Sequence, residues 1–205
     1  MLDPLSAEES LELVDNLLGD SDLPVVVRDH IARSAEGNPL FVEELLAMLV
    51  DRDILRRQDG RWTTGELPTL AVPPTIEALI AARVDRLPDD ERLVLELASV
   101  EGMSFDAVVL EQLVPEDRPL DVDAQLVRLI RKEFVRPEPD VEHRFAFRHP
   151  LVRDAVYASM PKQARAALHE RLAELHERRG ESADGELVGF HLDRARRLRG
   201  ELGLR

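Results

Sequence analysis

Cysteine is absent from the 205 residues, which excludes disulfides, thiolate metal sites and cysteine nucleophiles together. Lysine is almost absent too: Lys132 and Lys162 stand against 25 arginines, and neither follows a glycine. A phosphate loop of the form G-x-x-x-x-G-K-[ST] cannot be built from them, so the chain is not a complete P-loop ATPase. Aromatic residues make up 4% of the chain, and Leu, Val and Ala carry the apolar content, a composition that favours helices packed on helices. No apolar run approaches the ~18 residues of a membrane span. The N-terminal Met1-Leu2-Asp3-Pro4 lacks signal-peptide character. These absences lead us to expect a cytoplasmic chain without a membrane partner.

What is present is acidic and uneven. The net charge is −14. Residues 1–140 carry 14 basic and 31 acidic groups, a balance of −17, whereas residues 141–205 carry 13 and 10, a balance of +3. An acidic body of this kind repels nucleic acid and anionic membrane. The weakly basic tail leaves room for a local anion or phosphate contact.

Apolar periodicity and punctuation give the coarse architecture. Ser6-Ala7-Glu8-Glu9 is a capping box that opens a helix carrying Leu11, Val14, Leu17 and Leu18, with Gly19 as its stop. A second helix starts near Pro24 and runs through Val27 and Ile31 to about Glu36. Asn38 and Pro39 then supply the N-cap and first residue of a third, whose stripe is Val42, Leu45, Leu46 and Leu49. Short alternating segments around Asp59-Gly60 predict a hairpin, and the three prolines at 68, 73 and 74 mark a linker over 64–74. Thr75 caps the next helix, and Pro88-Asp89-Asp90 opens another. Further helices are expected over Phe105–Leu113, with Ser104 as N-cap, and over Val122–Lys132. Phe134-Val135 and Phe145-Ala146-Phe147 form a second hairpin, and three helices followed by a hairpin is the winged-helix order. Helices resume at Leu151–Met160, Lys162–Arg178 and Glu186–Arg199. The expected fold class is mainly α: a helical lid domain over 1–66 and a winged-helix domain with small β-hairpins over 67–180. Residues 181–205 then begin a helical repeat.

Catalytic constellations are missing. His169-Glu170 suggests H-E-x-x-H, but the next histidine, His176, comes seven residues on where the motif requires four. The pair reads as part of a solvated helix face. Gly102-Met103-Ser104 lacks the glycines of a nucleophile elbow, and no G-x-G-x-x-G occurs. The chain is expected to be no enzyme by itself, with neither catalytic nor metal-binding residues.

Two motifs stand out. Glu36-Gly37-Asn38-Pro39-Leu40-Phe41 is a helix corner that presents a rigid pyrrolidine ring and a helix start, or else serves only as a corner. Phe145-Ala146-Phe147-Arg148-His149-Pro150-Leu151 puts His149 at a strand-to-helix junction, where it can meet a phosphate or simply cap the helix.

The runs AEGNPLFVEELL, RVDRLPDDERLVLELASVEG and FAFRHPLVRDAVY…LHERLAELHE together resemble STAND-type signal-transduction ATPases. The resemblance is nearest to the bacterial branch joined to adenylate cyclase catalytic domains or LuxR-type transcriptional regulators. It spans nearly the whole chain. In that family a P-loop core precedes a helical lid, a winged-helix domain and tetratricopeptide-like repeats, whose start ELVGFHLDRARRLRGELG resembles. The resemblance implies that Gly37 and Pro39 form the adenine-side GxP motif and that His149 is the winged-helix histidine contacting phosphate. Pro150 stands where the apoptotic and plant-immunity relatives have aspartate. Arg83 and Arg86 lie in a recurrent family stretch, with Asp85 or Asp89 as expected ion-pair partners. The implied role is the regulatory half of an ATP/ADP switch controlling a transcriptional or cyclase output. ATP or ADP would bind in the parent protein and not to this chain alone. Its partners would be an upstream P-loop core, downstream repeats and a protein inducer. Two other roles fit the residues: a helical protein-interaction adaptor, and a winged-helix DNA binder reading with Arg128, Arg131 and Lys132. The acidic residues around that helix, Asp121, Asp123 and Glu133, argue against a nucleic-acid partner.

Overall fold

The computed structural model describes residues 3–19, 23–58, 61–64, 72–139, 141–179 and 184–203. Helix dominates, with ten helices and two small antiparallel sheets among these residues, so the chain is mainly α. It divides into two compact units, Met1–Asp85 and Arg86–Arg205.

In the first unit, helices α1 (Ala7–Leu18), α2 (Val25–Ser34) and α3 (Pro39–Asp51) precede a hairpin of β1 (Leu55–Gln58) and β2 (Arg61–Thr64), and α4 (Ile76–Asp85) closes it. The capping box forms: Glu9 N donates to the Ser6 hydroxyl at 3.2 Å, and Ser6 N donates to the Glu9 carboxylate at 2.8 Å. Pairing runs from Leu55↔Thr64 to Gln58↔Arg61. The Asp59-Gly60 turn and most of the expected linker lie outside the described residues. Val14, Ile31, Leu45, Leu49 and Leu79 meet in one core, with the half-buried Trp62 packed against it. Thr75 caps α4 as expected, its hydroxyl accepting from Ala78 N at 3.2 Å.

The second unit runs α5 (Asp89–Glu101), β3 (Ser104–Asp106), α6 (Ala107–Leu113), α7 (Val122–Arg131), β4 (Val135–Pro137) and β5 (Arg144–Phe147). Its three strands pair antiparallel in the order β3-β5-β4. A helix, a strand, two helices and a two-stranded wing, with the first strand beside the last, form the winged-helix topology. Phe105 seals it, edge-on to Phe147 at 5.5 Å and stacked with Phe145 at 6.1 Å. Helices α8 (Pro150–Ser159), α9 (Lys162–Arg179) and α10 (Asp184–Glu201) follow, with α10 packed along α9.

One expectation needs correction. Ser104 is not an N-cap but the first residue of β3, and Phe105 belongs to that strand. Helix α6 starts at Ala107, capped by Asp106, whose carboxylate accepts from Val108 N at 2.8 Å. A three-residue strand is too short to show a period of its own; it exists because β5 pairs with it. The two compact units divide between Asp85 and Arg86. Helix α4 joins the first unit through Leu79, and α10 joins the second through Ala195 and Leu198.

Candidate functional site

The corner between α2 and α3 is set by backbone geometry. Glu36 (φ 47°) and Gly37 (φ 77°) both adopt the left-handed region that ends helices. Gly37 O accepts from Leu5 N at 2.9 Å. A β-carbon on Gly37 would sit 2.4 Å from Leu5 O and 2.9 Å from Pro4 Cβ, so only glycine fits. Asn38 caps α3, its side chain accepting from Phe41 N at 3.4 Å. Pro39, at the first helical position, is exposed, with its ring on the surface of the first unit.

His149 is half-buried at the start of α8, in the second unit, and caps that helix: Leu151 N donates to its Nδ1 at 3.1 Å. An accepting Nδ1 leaves the ring proton on Nε2, so the imidazole caps with one nitrogen and offers a donor with the other. The two alternatives open for His149 are thus compatible. Pro150 has no N–H of its own, so the amide His149 satisfies is the next one.

Arg83 is only 1% exposed and held between two carboxylates of α3. Its Nε donates to Asp51 at 3.1 Å and an Nη donates to Glu44. The expected partners were Asp85 or Asp89; the observed ones lie one helix back because α4 packs on α3. Burial raises the Glu44 carboxyl above its ordinary range, and the attraction of Arg83 offsets this only in part. Arg83 is therefore a packing residue. Arg86 is exposed.

The second unit holds a polar interior that sequence reasoning missed. His169 and His176 are 1% and 7% exposed, so this face of α9 is covered by α10 and not solvated. Their spacing of seven was the available signal, since it puts both on one helical face. Arg194 Nε donates to the Tyr157 hydroxyl at 3.3 Å, and that hydroxyl lies 3.0 Å from His169 Nε2. Tyr157 and His169 thus share a hydrogen bond whose direction follows the imidazole tautomer. His169 Nδ1 and His191 Nδ1 lie 2.8 Å apart and are joined by a hydrogen bond, one ring donating and the other accepting. His176 stacks on His191 at 5.8 Å, nearly parallel. Burial pulls His169 down to about 3 and His191 to about 4, helped in His169 by His191 and three arginines and in His191 by His176. Both rings are neutral at physiological pH.

His176 and His191 also line a cavity of about 250 Å³ together with Glu101, Arg144 and Arg179. Glu101 Oε1 accepts from Asp106 N at 3.0 Å, while its Oε2 is buried without a partner. Burial pushes this carboxyl up to about 7, against the pull of that hydrogen bond. It is a group that can give or take a proton near neutrality. Glu170 of the H-E pair instead forms a two-point ion pair with Arg199 at 2.5 and 2.6 Å. Among the described residues, no group of three or more His, Asp or Glu side chains could hold a metal ion.

A domain family of unknown function, DUF8739, matches residues 6–62. That span takes in α1 to α3 and most of the hairpin, including Gly37 and Pro39, and leaves out α4 and the second unit. No curated protein matches the chain.

Proposed function

We propose that this chain is the lid and winged-helix portion of a STAND-type nucleotide switch, acting on an ATP or ADP molecule held chiefly by a P-loop core elsewhere in the parent polypeptide. The observation that carries the reading is His149: it follows the last strand of a winged helix, caps α8 with Nδ1 and keeps Nε2–H free to donate. A phosphate oxygen is a suitable acceptor for that donor. The exposed Pro39 ring at the start of α3 supports an adenine contact from the first unit. In this reading ADP holds the closed state, and exchange or an inducer releases it. The chain's own part is positioning, with no hydrolytic residue.

A DNA-binding role is less well supported by the cations around α7. Lys132 pairs with Glu91 at 2.7 Å, Arg128 donates to Gln125 at 3.3 Å and Arg148 pairs with Glu133 at 3.8 Å.

The test is ADP affinity in the parent polypeptide with its P-loop core. His149→Asn retains an oxygen that can cap α8 but loses Nε2; it should weaken ADP by about 10- to 150-fold, the worth of one hydrogen bond to a charged group. Pro39→Ala should weaken it less. If both variants bind ADP like the wild type, the assignment fails and the motifs are a corner and a cap.

A further inference from the structure

The cavity of about 250 Å³ lies in the second unit, between the winged helix and the α9–α10 pair. At about 30 Å³ for each water-sized group, it has room for a ligand of roughly eight such groups. Its lining is sorted by depth. Val109, His176 and His191 are buried, and the two rings, stacked nearly parallel, make one flat wall. Arg144 is half-exposed, Arg179 and Leu187 are exposed, and these three form the rim.

Charge follows the same division. Inside is the Glu101 carboxyl, which accepts from Asp106 N at 3.0 Å and has its Oε2 buried without a partner. A carboxylate offers about four acceptor positions, so most of this capacity is unused. Among the described residues, Glu101 is the only carboxylate with a buried oxygen in this state. Asp106 beside it caps α6 through Val108 N at 2.8 Å and adds negative charge, while Arg144 and Arg179 attract it through space without touching it. At the rim, Arg144 meets Glu138 at a loose 3.6 Å, and Arg179 has no carboxylate within ion-pair distance among the described residues. An anion alone would meet two carboxylates inside, and a cation alone would have to pass two arginines. A molecule with an ammonium at one end and a carboxylate at the other suits both.

We propose that this cavity binds a small free amino acid with an apolar side chain, its ammonium on Glu101 and its carboxylate on Arg179 and Arg144. The side chain lies along Val109, Leu187 and the imidazole wall. A ligand so placed touches both the winged helix and the α9–α10 pair and stabilises their contact. The site uses neither Pro39 nor His149 and stands apart from the nucleotide reading.

The experiment is calorimetric titration of the full chain, at neutral pH, with L-leucine, with isoamylamine, which lacks the carboxylate, and with isocaproate, which lacks the ammonium. Saturable one-site binding is expected for leucine, and each truncated compound should bind about 10- to 150-fold more weakly, the worth of a hydrogen bond to a charged group. An ammonium beside Glu101 favours its ionised form, so leucine should release protons near neutrality, seen as a heat that depends on the buffer's ionisation enthalpy. Glu101→Gln keeps an oxygen for Asp106 N; it should weaken leucine to the level of isocaproate and abolish the proton release. Arg179→Met should weaken leucine toward the level of isoamylamine and decides the matter if Glu101→Gln fails to fold. Arg197→Met, which removes an exposed cation paired with Asp193 at 2.8 Å, should bind like the wild type. A leucine response that never saturates, truncated compounds that bind as well as leucine, or folded Glu101 and Arg179 variants that bind like the wild type would overturn the proposal. His149→Asn should leave leucine binding intact, so this result and the ADP result can fail independently.

Discussion

In the first unit a full positive charge is buried, with Arg83 clasped by Glu44 and Asp51; in the second, His169 and His191 are buried side by side and burial keeps them neutral. Each arrangement avoids an isolated charge in a low-dielectric interior, one by pairing ions and the other by giving up the proton. The difference shows in what breaks them. An ion cluster fails when a partner is removed, because the remaining charge has nowhere to go. A neutral imidazole chain fails when protons are added.

The largest expected effect is therefore on the ion cluster. Arg83→Met should destabilise the first unit by about 3–5 kcal/mol, since two carboxylates are left without their cation. Urea unfolding followed by the fluorescence of Trp62, the only tryptophan, reports on that unit. Adding Glu44→Gln and Asp51→Asn should recover a large part of the loss. A single variant as stable as the wild type would show that the cluster is not what holds α4 to α3.

The next effect is a pH contrast. His169 and His191 have folded pKa values near 3 and 4, below the ordinary 6.5. Their contribution is complete above 6.5 and is lost as pH falls toward those values, because the unfolded chain binds protons the folded one refuses. Glu101 works in the opposite direction: raised from 4.5 to about 7, it contributes below 4.5 and loses that contribution as pH rises through 7. Two histidines outweigh one carboxyl between 4.5 and 6.5, and below 4.5 nothing from Glu101 opposes them. Unfolding of the second unit, followed by the near-ultraviolet dichroism of Tyr157, should thus become easier toward acid, most steeply between about 4 and 4.5. His191→Gln should flatten the profile. Glu44 gives the first unit the other sign, since a raised carboxyl is a contribution lost as pH rises. Equal acid sensitivity in both units would erase the contrast.

The smallest effect compares backbone positions. Gly37→Ala meets a positive φ and the Leu5 carbonyl, and should cost about 1–3 kcal/mol. Gly189→Ala, inside α10 with open space around it, should add about 0.5–1 kcal/mol of stability. Thermal melting of the two variants checks both signs.

Local chemistry made much of this legible in advance. Ser6 with Glu9, Asn38 with Pro39 and His149 before Pro150 each announce a helix start from neighbouring residues, and each does cap its helix. The order of α5 to α7 and the wing was readable from changes of period. Strand β3 was not, since three residues carry no pattern and Ser104 looks equally like a cap. The histidines were misjudged because a spacing of seven shows a shared helical face but does not say whether another helix lies on it.

The sequence by itself determined where several helices begin, that the chain is mainly α and that it carries no P-loop, since each depends on residues within a few positions of one another. Tertiary structure alone decided the partners of Arg83, which lie 32 and 39 residues away. It also decided the path from Tyr157 through His169 to His191, and the meeting of three arginines from three helices on one ring. Long-range contacts of this kind are selected by which faces pack together, and any one helix can bury its face against many alternatives. Only the assembled core picks one.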